Sequence, residues 1–176
     1  MPIPYAYGPA PSQVADLHLP DARPAGIVAL FHGGFWRFPY GSDQMDDLAA
    51  DLVRRGYAVW NVEYRRVGEP GGGWPGTVAD AFAALDFLAD PALASHGLDL
   101  SKVVAAGHSA GGHLALLTAL GERPSPFAPR HPRVRSRAVA SLAGIPDLAR
   151  VHALGSGNGA VAGLLGGAPE DLPERV

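Results

Sequence analysis

A serine flanked by glycines follows a short apolar segment in the middle of the chain. Residues 107–111 read Gly-His-Ser-Ala-Gly, with Ser109 at the centre, apolar residues 103–106 before it and an apolar stretch up to Leu120 after it. A serine on a sharp turn from strand to helix exposes its hydroxyl above a sheet, and glycines two residues away leave room for the turn. The spacing predicts Ser109 as a nucleophile that attacks a carbonyl carbon.

Two other interpretations of this motif compete with the nucleophile. A serine between glycines also occurs in ordinary loops that join a strand to a helix. A nucleotide-binding loop is the second alternative, but residues 107–112 contain no lysine and do not match that pattern. The order of strand, turn and helix around Ser109 favours the nucleophile.

A second glycine motif lies near the N-terminus and supplies a different chemical group. Residues 32–36 read His-Gly-Gly-Phe-Trp and follow the apolar residues 26–31. Adjacent glycines allow backbone N–H groups to approach a ligand, and the oxyanion of acyl transfer requires at least two such donors. We expect an oxyanion hole formed by backbone N–H groups among Gly33, Gly34, Phe35 and Ala110. The alternative is a plain glycine turn.

Further side chains near these motifs have candidate roles in the site. Trp36, Phe38 and Trp74 are predicted to line a substrate pocket, although packing in the core or in a lid is an equal alternative. Glu63 and Arg65 stand two residues apart at the end of a predicted strand, and we expect an ion pair that fixes the glycine loop.

The elements that position both motifs alternate along the chain. Apolar or alternating segments predict strands at residues 12–19 (an edge strand), 26–32, 57–64, 103–106 and 138–142. Helical spacing predicts helices at residues 43–55, capped by Ser42 or Asp43, and at 75–90, 110–120 and 147–154. Such alternation predicts an α/β fold with a doubly wound, mainly parallel sheet, in one domain over residues 1–176. Ligands bind at the carboxyl ends of the strands in such sheets, where both motifs lie.

Composition restricts the class of protein. The 176 residues carry a net charge of −3, which argues against nucleic acid as a partner. The chain has no cysteine, so it has no disulfide, no thiolate metal site and no cysteine nucleophile. It shows no signal peptide and no apolar segment long enough for a membrane, and we expect a cytoplasmic protein without metal or cofactor.

Together, the motifs resemble a known family. His-Gly-Gly-Phe-Trp, then Val-Glu-Tyr-Arg at residues 62–65, then Gly-His-Ser-Ala-Gly-Gly-His-Leu-Ala at 107–115 are similar to the esterase/lipase group of α/β-hydrolases. The aromatic pair after the glycines most resembles kynurenine-formamidase-like carboxylesterases. The resemblance implies the α/β-hydrolase fold and an acyl-enzyme at Ser109, formed from a small ester or amide.

The chain departs from this family where the rest of the catalytic triad is expected. The fold places an acid and then a histidine after the serine, and the chain ends at Val176 before either is expected. We therefore expect a C-terminally truncated, catalytically incomplete domain. The pairs Asp147–His152 and Glu122–His131 keep the order, but Asp147 is more plausible as a helix cap.

The missing triad residues leave a second function open. A non-catalytic protein that binds a small molecule on the same fold, or an inactive fragment, is the alternative. His113, one helical turn after Ser109, is interpreted as a hydrogen-bonded core histidine rather than a base. An apolar strand at 138–142 without a neighbour would be open to self-association, so a homo-oligomer is possible.

Overall fold

A six-stranded sheet forms the centre of the computed structural model, which describes residues 1–120 and 133–176. The strands are β1 (Ile3–Ala6), β2 (Val14–His18), β3 (Ile27–Phe31), β4 (Ala58–Val62), β5 (Val103–His108) and β6 (Ala138–Leu142). Their order across the sheet is β1-β2-β4-β3-β5-β6. The last four strands in this order run parallel, and β1 and β2 are antiparallel to their neighbours. The predicted mainly parallel sheet is confirmed.

Helices cover both faces of the sheet. They are α1 (Asp46–Arg54), α2 (Gly76–Phe87), α3 (Ala110–Ala119), α4 (Leu148–Ala153) and α5 (Ala160–Leu165). All five residues of β3 are buried, because successive side chains point to opposite faces and both faces are covered. Val28 and Leu30 pack with Ala49 of α1, whereas Phe31 packs with the large cluster that includes α2 and α3. The sheet is therefore doubly wound, as predicted.

Two local predictions in the N-terminal half were wrong. Residues 14–18 form a strand, but β2 is not at the edge, because β1 pairs along its outer side. β1 was not predicted because it is short, mostly exposed and contains Pro4, so its local pattern is weak. The predicted cap at Ser42 or Asp43 is replaced by a 3-10 turn over Ser42–Met45, and Met45 precedes α1.

The far edge of the sheet is β6. Four of its five residues are exposed, and no strand of the described residues pairs with its outer side. Asp147 accepts a hydrogen bond from the Arg150 N–H at 2.8 Å and caps α4, as predicted. No helix in the described part of the chain has the length and apolar character needed to cross a membrane.

Candidate active site

Ser109 lies at the junction of β5 and α3, in a backbone conformation that is rare for a residue with a side chain. Its φ is 53° and its ψ is −115°, which costs of the order of 1–3 kcal/mol. The turn is held on both sides, because the Ser109 N–H donates to the Leu142 carbonyl at 2.9 Å and the Ser109 carbonyl accepts from the His113 N–H at 3.1 Å. The residue stays partly exposed. The predicted sharp turn is therefore present.

Glycines make this turn possible through close backbone contacts. A Cβ atom at Gly107 would lie 2.2 Å from the Gly111 carbonyl oxygen. A Cβ atom at Gly111 would lie 2.0 Å from the Phe31 carbonyl oxygen, at the end of β3. Neither distance leaves room for a side chain. The two glycines are thus required by the approach of the turn to itself and to the next strand.

The first residues of α3 provide free hydrogen-bond donors beside the serine. The first helical N–H groups have no acceptor within a helix, and the partial positive charge of the helix N-terminus adds to their attraction for an anion. Ala110 is the first residue of α3, and the bond from His113 to Ser109 is the earliest one along this helix. The Ala110 N–H is therefore available to a ligand held at Ser109.

The glycine loop after β3 reaches the same place from the other side. A Cβ atom at Gly33 would lie 3.5 Å from the Ser109 Cβ. The Arg37 N–H donates to the Gly34 carbonyl at 2.9 Å, across a turn whose central residues Phe35 and Trp36 have φ of 58° and 56°. The N–H groups of Gly34 and Phe35 have no hydrogen-bond acceptor among the described residues. The structure therefore places Gly33, the residue before these predicted donors, beside the serine, and the donor role of Gly34 and Phe35 stays a prediction.

Trp36 anchors the strained turn in the core. Its side chain is 0% exposed, and its ring meets the His113 ring edge-on at 5.3 Å between centroids. Burial of a large apolar side chain contributes about 2–3 kcal/mol, which offsets part of the strain of the two positive φ angles. Trp36 therefore does not line an open pocket, and that prediction was wrong because an aromatic residue after glycines can equally point inward.

The exposed aromatic side chains of this region belong to the same loop. Phe35 is 40% exposed, and a Cβ atom at Gly157 would lie 3.2 Å from its ring. Phe38 is 59% exposed, and the Arg66 guanidinium lies 5.3 Å from its ring centroid. Trp74 is half-buried and packs against the main core. No sequence pattern predicts that Phe35 lies near Gly157, because the two residues are far apart in the chain.

Glu63 holds the glycine loop, but through partners other than the one predicted. One Glu63 oxygen lies within hydrogen-bond distance of His32 Nε2, at 2.8 Å, and the other accepts from the Ser42 N–H at 3.0 Å. Arg65 instead pairs with the buried Asp80 carboxylate of α2, at 2.7 Å. The predicted ion pair between Glu63 and Arg65 was therefore wrong, whereas the attachment of the glycine loop to Glu63 is present.

No described residue is in place as a base for the serine. Within residues 1–120 and 133–176, no histidine or carboxylate hydrogen-bonds to the Ser109 hydroxyl. His113 is buried as predicted, but its Nδ1 has no partner among these residues, and burial lowers its pKa to about 4. His152 lies 4.0 Å from Glu170, and Asp147 is engaged as the cap of α4. The pair Glu122–His131 lies outside the described residues.

The described residues also show no metal-binding group. No cluster of three or more histidine, aspartate or glutamate side chains occurs in residues 1–120 and 133–176. The candidate site therefore consists of one hydroxyl, a set of free backbone N–H groups and an exposed phenyl ring.

Comparison with known proteins identifies the family of the chain. The family model described as BD-FAE matches residues 15–176. A probable isoprenylcysteine alpha-carbonyl methylesterase of Oryza sativa subsp. japonica is 33% identical over 117 residues, which cover 65% of this chain and 26% of the relative. The chain spans about a quarter of the length of the curated relatives it matches.

Solved structures show the same fold. Esterase B from Lactobacillus rhamnosis, solved with a tributyrin phosphonate inhibitor, superposes with a TM-score of 0.79 at 25% identity, over 96% of this chain and 56% of that chain. A truncated carbohydrate esterase from gut microbiota superposes with a TM-score of 0.81 at 20% identity, over 98% and 67%. The α/β-hydrolase fold and the resemblance to its esterase group are confirmed.

Proposed function

Since the chain belongs to the BD-FAE family, we propose that it is a serine hydrolase of carboxylic esters in which Ser109 is the nucleophile. The observation that carries the proposal is the strained φ of 53° at Ser109, beside backbone N–H groups that have no described acceptor. Strain at a single polar residue is retained where the surrounding structure enforces it, which is common at catalytic sites. The names of the similar proteins, which are esterases, support the same reaction class.

The reaction follows from the positions of the groups. The Ser109 oxygen forms a bond to the ester carbonyl carbon, and the carbonyl oxygen becomes an oxyanion held by the N–H groups of Gly34, Phe35 and Ala110, with Gly33 beside them. The alkoxy group then leaves with a proton, and water hydrolyses the acyl-enzyme. The serine proton requires a base, and no described histidine or carboxylate hydrogen-bonds to the hydroxyl.

An exposed aromatic surface lies beside the proposed oxyanion donors. Phe35, whose N–H is one of the proposed donors, exposes its ring, with the Tyr40 ring at 6.5 Å between centroids and the loop at Gly157 on another side. We assign the acyl group to this aromatic surface. Cleavage of small amides, including arylformamides, stays a prediction, because esters and amides share the same tetrahedral oxyanion.

Labelling of the serine tests the proposal. The chain is incubated with a fluorophosphonate probe, with and without added imidazole as an external base, and the modified residue is identified by peptide mass spectrometry. We expect imidazole to accelerate labelling at Ser109, very low turnover of a nitrophenyl ester without it, no labelling of Ser109→Ala and normal labelling of the exposed-site control Ser101→Ala. Absence of labelling at Ser109 in the presence of imidazole would refute the proposal.

The second candidate is a non-catalytic protein that binds small carboxylates. The observation in its favour is that no described histidine or carboxylate hydrogen-bonds to the Ser109 hydroxyl. The free N–H groups would then hold the carboxylate, and Phe35 its apolar part. Saturable binding of butyrate by isothermal titration calorimetry, together with no labelling in imidazole, would favour this function.

A further inference from the structure

His32 connects the glycine loop to Glu63 through both nitrogens of its ring. Its Nδ1 lies 2.7 Å from the Gly33 carbonyl oxygen, and its Nε2 lies 2.8 Å from Oε1 of Glu63. The ring is 0% exposed, so no water replaces either contact. The Gly33 carbonyl can only accept a hydrogen bond, so the bond at Nδ1 is one that the imidazole donates.

The Gly33 carbonyl and the Gly34 N–H belong to the same peptide unit. A hydrogen bond donated to a peptide carbonyl polarises the unit and strengthens its N–H as a donor. The Gly34 N–H has no described acceptor and lies in the loop beside Ser109. We propose that His32 and Glu63 form a relay that strengthens the Gly34 N–H as an oxyanion donor, through the peptide between Gly33 and Gly34. This inference rests on the proposed function of Ser109.

Neighbouring groups hold this relay in one orientation. The Tyr64 ring stacks on the His32 ring with 4.2 Å between centroids and 5° between planes, and its hydroxyl donates to the His32 carbonyl at 2.8 Å. The second oxygen of Glu63 accepts from the Ser42 N–H at 3.0 Å and lies 3.4 Å from Arg66. One carboxylate thus fixes both ends of the loop from residue 33 to residue 41. The imidazole cannot turn away from Gly33 without losing these contacts.

Two substitutions of one residue separate the relay from simple support of the loop. His32→Asn places an amide nitrogen near the position of Nδ1 and keeps a donor for the Gly33 carbonyl. His32→Gln places its amide nitrogen near the position of Nε2 and keeps a donor for Glu63 only. If His32 only supports the loop, both variants should change the Gly34 amide proton shift and the labelling rate of Ser109 to a similar extent. His32→Gln could then even change them less, because its bond to Glu63 is kept. The relay predicts the larger effect for His32→Gln. Both variants remove the imidazole, and they differ in which of its two hydrogen bonds, to Gly33 or to Glu63, is kept.

Amide NMR of the isotopically labelled chain tests the relay and does not require catalytic activity. In His32→Gln we expect an upfield shift of the Gly34 amide proton and a change of the Gly33 carbonyl carbon shift. His32→Asn keeps both signals close to those of the wild type. Glu63→Gln, which retains the shape of the carboxylate, shifts the Gly34 proton in the same direction but less. The distant control His96→Gln leaves these signals unchanged, because His96 contacts Tyr5.

The rate of imidazole-assisted labelling of Ser109 measures the effect of the relay on the proposed function. We expect His32→Gln to slow labelling about tenfold and His32→Asn to slow it by less than about threefold, since loss of a whole oxyanion donor costs about a hundredfold or more. Failure of the wild-type chain to label refutes the proposed function, and the NMR signals then still decide whether the relay exists. Equal Gly34 shifts in both variants, or a larger shift in His32→Asn, would overturn the relay. If His32→Gln does not fold, Glu63→Gln decides: an unchanged Gly34 proton overturns the relay.

Discussion

Replacement of Ser109 by glycine should stabilise the folded chain while it removes the nucleophile. The positive φ of 53° at Ser109 costs about 1–3 kcal/mol for a residue with a Cβ atom, and glycine relieves this cost. Glycine also increases the entropy of the unfolded chain, which costs about 0.5–1 kcal/mol. The balance is a gain of about 1 kcal/mol in the free energy of unfolding. For a chain of this length the gain corresponds to a rise in Tm of roughly 2–4 °C.

Urea unfolding followed by circular dichroism measures this difference, and two variants serve as controls. Ser109→Ala removes the hydroxyl but keeps the Cβ atom, so its stability should stay within about 0.5 kcal/mol of the wild type. Ser95→Gly makes the same substitution at an exposed residue with negative φ, and it should lose about 0.5–1 kcal/mol. If Ser109→Gly loses as much stability as Ser95→Gly, the turn at Ser109 is not strained and the central geometric argument fails.

Three further substitutions test the packing around the site. Gly111→Ala should unfold the chain or lower its stability by more than about 3 kcal/mol, because the added Cβ would lie 2.0 Å from a backbone oxygen. The control Gly97→Ala has open space around it and should lower stability by only about 1 kcal/mol. Thermal unfolding measures both variants. Burial lowers the pKa of His113 to about 4, so the unfolded chain binds a proton first as pH falls. Stability should therefore drop by roughly 3 kcal/mol between pH 6.5 and 4, and a His113→Leu variant measured over the same range should lack this drop. Asp80→Asn should cost about 3 kcal/mol in urea unfolding, because it leaves a partly buried arginine without its charged partner, whereas Asp51→Asn at an exposed pair should cause no measurable loss.

Local sequence patterns predicted most of the sheet but not the partners of individual side chains. The continuous apolar segment at residues 26–32 identifies β3, because a strand covered on both faces has no polar side. Trp36 could not be assigned from sequence, since the same residue after a glycine pair packs in the core or lines a pocket. Arg65 was assigned the wrong partner, because Asp80 comes from the next helix and only the folded chain brings the two together. The spacing of residues in the sequence predicts secondary-structure elements, whereas contacts in the folded chain determine which charged side chains form a pair.

Backbone contacts, more than side chains, set the distance between the two groups of proposed oxyanion donors. Gly111 of the serine turn lies against the carbonyl groups of Phe31 and His32, and Gly33 of the loop lies against the Cβ of Ser109. A Cβ atom at Gly111 would have to move α3 away from β3, and the Ala110 N–H would move with it. An oxyanion accepts from both groups only when both lie within hydrogen-bond reach, so an added methyl group would weaken transition-state binding even if the chain still folded. The glycines of the two motifs therefore set this distance together, which gives a physical reason for their occurrence together under the proposed acyl transfer.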